Sequence, residues 1–132
     1  MSITVTRDAS GKMKHRVHIR DHELITDVDA AGGGEDAGPS PHDLYDSALG
    51  ACKALTMLWY ANRKNIPVEN IEVEIERDAS EEAKGTYRLK ALVSVTGDLT
   101  DAQREELLKV AGKCPVHKLM TQVTTEVETA WK

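Results

Sequence analysis

The sequence predicts an α+β fold, with antiparallel strands arranged around one central, strongly apolar helix. Three observations carry that prediction. Apolar and polar residues alternate through 2–28 and again after 69, the period of half-buried strands. Residues 40–64 instead repeat apolar positions at helical spacing. Between and after the later strands, the chain carries helix-capping signals and no long connection except one glycine-rich stretch.

Taken in order, Ile3 and Val5 share one face of ITVT, and His15, Val17 and Ile19 share one face of HRVHI. The turn-forming DASGK between them makes this a β-hairpin, and HELITDV adds a third strand after the tight RDH. Residues 29–39 are glycine-rich and aperiodic, a loop of the kind that is either functional or mobile. The central helix opens at Ser40-Pro41-His42-Asp43, where a capping hydroxyl, a proline at the first position and an acid fall in the right order. Its stripe runs through Leu44, Tyr45, Ala48, Leu49, Cys52, Leu55, Leu58 and Trp59, which predicts a nearly buried helix. Pro67 confirms its end.

The part from 69 to 132 begins with IEVEIE and TYRLKALVSV, two strands joined by the polar RDASEEAKG. Thr100 with Gln103 forms a second capping box, and that helix stops at Gly112. KCPVHKLM reads as a short helix. QVTTEVETAW, rich in β-branched residues, reads as a closing strand. The expected order is β-β-β-α-β-β-α-α-β within a single domain spanning 1–132.

Composition narrows the function. A net charge of −5 speaks against nucleic acid as partner. No apolar run approaches the ~18 residues of a membrane span, and no secretory h-region opens the chain. A soluble, cytoplasmic protein is the expectation. With no phenylalanine, the core relies on aliphatic residues, and so apolar a helix is expected to need a partner chain, giving a homodimer.

The two cysteines carry the chemistry. Cys114 directly precedes Pro115, so it sits at a helix cap, where backbone N–H groups favour a thiolate; Lys113 and Lys118 add positive charge. Cys52, about three turns into its own helix, has no such help and needs an outside cation if it reacts. Alone, it reads first as a core residue. A zinc site built on Cys114 and His117 lacks a full ligand set, since only two cysteines exist. A Cys-His hydrolase with His42 or His117 as base lacks any nucleophile signature. His117 itself is expected to be a surface neighbour.

Two runs, GPSPHDLYDSALGACKALTMLWYANRKNIPVENIEVE and KCPVHKLM, resemble the OsmC/Ohr family of thiol-dependent peroxide reductases, in its broad OsmC-like branch. The resemblance spans roughly 22–131 and rests on P-x-x-L-x-x-x-A-L-x-x-C ending at Cys52 and C-P-V-x-K at Cys114. It implies an intertwined α+β homodimer, with sites at the interface. It also implies that Cys52 attacks a hydroperoxide, organic ones foremost and hydrogen peroxide besides, and becomes a sulfenic acid. Cys114 would then resolve this to an intramolecular disulfide, which an external thiol or lipoyl-type dithiol reduces. No metal and no resident cofactor is expected.

The family holds its attacking thiolate with an arginine positioned by a glutamate. His42 stands where that glutamate is expected, with Asp43 beside it as a substitute. Arg20 and Arg16 are the candidate activating arginines, with Arg7 behind them. The pocket is expected to be apolar, lined by Leu44, Leu49, Leu55 and Met57. The competing reading is a non-catalytic homodimer on the same fold that binds a small hydrophobic ligand.

Overall fold

A computed structural model describes residues 1–132. The chain runs β1 (Ile3–Arg7), β2 (His15–Ile19), β3 (His22–Thr26), α1 (Pro41–Arg63), β4 (Val68–Asp78), β5 (Arg88–Gly97), α2 (Asp101–Ala111) and α3 (Pro115–Thr121). The α+β expectation holds. The chain divides into two units, Met1–Tyr45 and Asp46–Lys132.

In Met1–Tyr45, β1, β2 and β3 form an antiparallel sheet in that order, with Val5 opposite Val17 and Val17 opposite Leu24. Arg20 takes a positive φ of 54° in the tight β2–β3 turn. The glycine-rich loop is folded rather than loose. The buried Asp27 carboxylate accepts the N–H groups of Val28 at 2.8 Å, Ala37 at 3.0 Å and Glu35 at 3.2 Å. Those backbone donors hold its pKa below the ordinary carboxylate value.

In Asp46–Lys132, β4 and β5 pair antiparallel, and Ile71↔Val95, Val73↔Val93 and Ile75↔Ala91 put the apolar residues on one face, as their alternation requires. A 3-10 turn, Glu82–Lys84, lies in the connection. α1 approaches this face at Gly50, where a Cβ would meet Ile75 Cγ1 at 3.1 Å. Met57 and Ala61 of α1, Ile66, and Leu107 and Ala111 of α2 form the buried core, with Val73, Val93 and Val95 packed against it. The Thr100–Gln103 capping box is present in full at the start of α2.

Two expectations are corrected. The buried face of α1 is Asp46, Leu49, Gly50, Lys53, Met57 and Ala61. Most of the stripe expected to be buried lies on the other side: Leu55 is 68% exposed and Trp59 59%, with Tyr45 and Leu58 exposed too. α1 is apolar on both sides, and a two-stranded sheet with one helix covers only one. The closing strand is also not formed. Residues 124–132 have no regular structure, and Val127 and Trp131 are exposed. β-branched residues suit a pleated surface, but a strand needs a ladder partner, and this segment pairs with none in the chain. No helix is long and apolar enough to cross a membrane.

Candidate functional site

α1 and the start of α3 bring the two cysteines together. Cys52 lies at the border between the buried and exposed faces of α1 and is half-buried. Cys114 is the N-cap of α3, with Pro115 at the first helical position, and is wholly buried. Both are free thiols. Proline carries no N–H, so the first donors of α3 are Val116 and His117.

Those two donors serve different sulfurs. The Val116 N–H donates to Cys52 Sγ at 3.5 Å, so Cys52 has the backbone help its own helix cannot supply. The His117 N–H lies near the Cys114 sulfur and favours its thiolate, without the geometry of a closed cap bond. Cys52 Sγ also lies 4.0 Å from Thr56 Oγ1. The Cys114 thiol is pushed above its ordinary pKa, first by burial and further by a hydrogen bond to its neighbour Cys52; the His117 N–H and the charge of Lys53 pull the other way. The exposed Lys113 and Lys118 are not the cations that act on it.

Lys53 is the residue that sequence reasoning missed. It is 6% exposed on α1, and its Nζ reaches the Ala111 carbonyl at 2.9 Å and His117 Nδ1 at 3.0 Å. His117 is therefore half-buried and engaged, not a surface neighbour. A signal was present: Lys53 is the one charged residue between Asp46 and Arg63, next to Cys52, in an otherwise apolar helix. Asp46 was missed in the same way. Buried on α1, it accepts Arg77 Nε at 2.5 Å and Tyr87 Oη at 2.6 Å. Burial and that contact raise the Tyr87 pKa.

The remaining expected residues are occupied locally. Asp43 and Ser40 form a reciprocal cap, Ser40 N–H to Asp43 Oδ2 at 2.9 Å and Asp43 N–H to Ser40 Oγ at 3.2 Å, so Asp43 serves the helix end. His42 is exposed on the same turn. Arg16 donates to Asp8 Oδ2 at 2.8 Å and pairs with Glu23, two carboxylates within its own unit, and they raise its pKa. Arg20 places Nη1 4.0 Å from Met1 Sδ, and Arg7 ends β1 in an exposed position. The apolar lining is divided: Leu49 and Met57 belong to the buried face of α1, while Leu55 is exposed. No group of three His, Cys, Asp or Glu side chains is placed to hold a metal ion. His117 Nδ1 faces an ammonium rather than a ligand set.

The family described as OsmC-like protein matches residues 32–129. Among solved structures, a candidate osmotic stress induced and detoxification response protein of Psychrobacter arcticus 273-4 superposes with a TM-score of 0.76 at 21% identity, over 92% of this chain and 89% of that one. An OsmC-like protein of Mycoplasma pneumoniae gives 0.72 at 17% identity, over 92% and 87%. The organic hydroperoxide resistance protein OhrB of Bacillus subtilis gives 0.60 at 21% identity, over 92% and 90%. At these identities the likeness is one of fold. No curated protein matches the chain significantly.

Proposed function

The chain belongs to the OsmC-like protein family, and on that premise we propose that it is a cysteine-based peroxidase that reduces organic hydroperoxides, and hydrogen peroxide besides, through Cys52 and Cys114. The observation that carries this reading is the pairing of a half-buried Cys52 with a wholly buried Cys114 beside it. The accessible sulfur meets the substrate and the hidden one waits for the product. In the first step the Cys52 thiolate, steadied by the Val116 N–H, attacks a peroxide oxygen. The O–O bond breaks, an alcohol leaves, and Cys52 becomes a sulfenic acid. Cys114 then displaces the hydroxyl as water and forms the disulfide, before further oxidation can occur. An external thiol or lipoyl-type dithiol restores both thiols. The organic hydroperoxide resistance named for the Bacillus subtilis relative supports this substrate class.

The same reading makes the protein a cytoplasmic homodimer, whose second copy covers the exposed side of α1 next to Cys52. Mixing reduced protein with equimolar cumene hydroperoxide tests the chemistry. The wild type should lose both free thiols and two hydrogens in mass within minutes, and Cys114→Ser should not form the disulfide. Persistence of both thiols in the wild type would favour a non-catalytic, apolar-ligand-binding role.

A further inference from the structure

Lys53 is a buried cation with no anionic partner. Its ammonium is bonded to the carbonyl of Ala111, the last residue of α2, and to one ring nitrogen of His117. Burying a charge without a counter-charge is costly, and a lysine kept for packing alone would be expected to sit beside a carboxylate. The other buried ionisable side chains, Asp27 and Asp46, are engaged elsewhere. The anion that this corner can generate is a thiolate at Cys114, which lies in the chain between the two residues that anchor Lys53; the lysine's charge favours that thiolate, against the larger opposing effect of burial. The contact with His117 also fixes chemistry: an ammonium has only protons to give, so Nδ1 must accept and the imidazole proton sits on Nε2.

We propose that Lys53 is a positioning residue of the disulfide-forming step, its ammonium anchored at Ala111 and His117, on either side of Cys114 in the chain, so that a positive charge stands by the Cys114 sulfur as it attacks the oxidised Cys52. This rests on the peroxidase reading. In the step, the Cys114 thiolate attacks the sulfur of the Cys52 sulfenic acid. An S–S bond forms as the S–O bond breaks, Cys114 is oxidised and the Cys52 sulfur reduced, and the leaving hydroxide takes up the proton that Cys114 gave away, giving water. The groups facing Cys114 are the Cys52 thiol and Lys53 from α1 and the His117 N–H from α3; α2 adds the Ala111 carbonyl that anchors Lys53.

The test needs no peroxide. In a Cys52→Ser background, thiolate formation at Cys114 is followed by ultraviolet absorbance as pH is raised. Adding Lys53→Met, which keeps length and removes charge, should move the midpoint up by about one pH unit or more, and Lys53→Arg should bring it back toward the parent. An unchanged midpoint in a folded Lys53→Met protein overturns the proposal. Should that variant not fold, nitrogen NMR of the wild-type histidines decides: a proton on His117 Nε2 with Nδ1 bare is required, and a proton on Nδ1 overturns it. A charge-dependent midpoint in a protein that consumes no thiols with peroxide would sink the peroxidase reading and leave the electrostatic role of Lys53 standing.

Discussion

The backbone N–H of Val116 donates to Cys52 Sγ at 3.5 Å, tying the first turn of α3 to the middle of α1 before any oxidation has taken place. The bond puts the residue after Pro115 on the opposite cysteine, so the two sulfurs share one short stretch of backbone. A covalent link between Cys52 and Cys114 would therefore join segments that are already in contact.

The first prediction follows from that proximity. Peroxide-treated wild type should be more stable than the dithiol-reduced protein by about 2–4 kcal/mol, because the disulfide closes a long loop in the unfolded chain. Urea unfolding of both forms measures it. Cys114→Ser, treated identically, should show no gain; equal gains in the two proteins would mean that the linkage is not the one proposed.

The buried thiol predicts a pH dependence. Cys114 is shifted above its ordinary value of 9.0, so the folded state keeps its proton where the unfolded state has lost it. In that window the unfolded state binds fewer protons, and stability must fall as pH rises from near 9 toward the raised folded value. Denaturation midpoints taken across this alkaline range should decline more steeply for the wild type than for Cys114→Ser. Parallel slopes would show that Cys114 is not held neutral by its surroundings.

The strands, caps and helix order were legible because each rests on local chemistry: alternation at Ile71, Val73 and Ile75, and the reciprocal hydroxyl and amide of Thr100 and Gln103. The face that α1 buries was not. Helical periodicity locates an apolar stripe, yet α1 has apolar residues on two sides, and the buried one also carries Asp46 and Lys53. Both are buried because each finds partners far along the chain, Arg77 and Tyr87 for one, Ala111 and His117 for the other. Such compensation depends on tertiary contacts that no local pattern encodes. Arg16 and Arg20, the expected cations for Cys52, are held within the first unit by Asp8 and Glu23 and by Met1, while the buried cation nearest in sequence to Cys52 is Lys53.

Asp46 gives a third prediction, about stability. Its carboxylate is buried and is the acceptor for both Arg77 Nε and the Tyr87 hydroxyl. Asp46→Ala should cost about 1–3 kcal/mol, since a guanidinium and a hydroxyl lose the buried carboxylate they share. Asp46→Asn keeps an acceptor oxygen and should cost less. Urea midpoints order the two variants; a neutral Asp46→Ala would show that water replaces the carboxylate at no cost.

The last prediction concerns assembly. Trp59, Leu55 and Leu58 lie on the side of α1 that the chain leaves uncovered, an apolar patch on the helix that carries Cys52. Patches of this kind on soluble chains are interaction surfaces, and a second copy brings an identical patch to meet it across a twofold axis. Light scattering should give about twice the 14.5 kDa chain mass at micromolar concentration. Trp59→Glu puts a charge in the patch without touching the chain's own core, since Trp59 is already exposed within it, and should shift the protein to monomer while the far-ultraviolet dichroism stays unchanged. A wild type that remains monomeric would remove the interface, and with it the expectation that the surroundings of Cys52 are completed by a second chain.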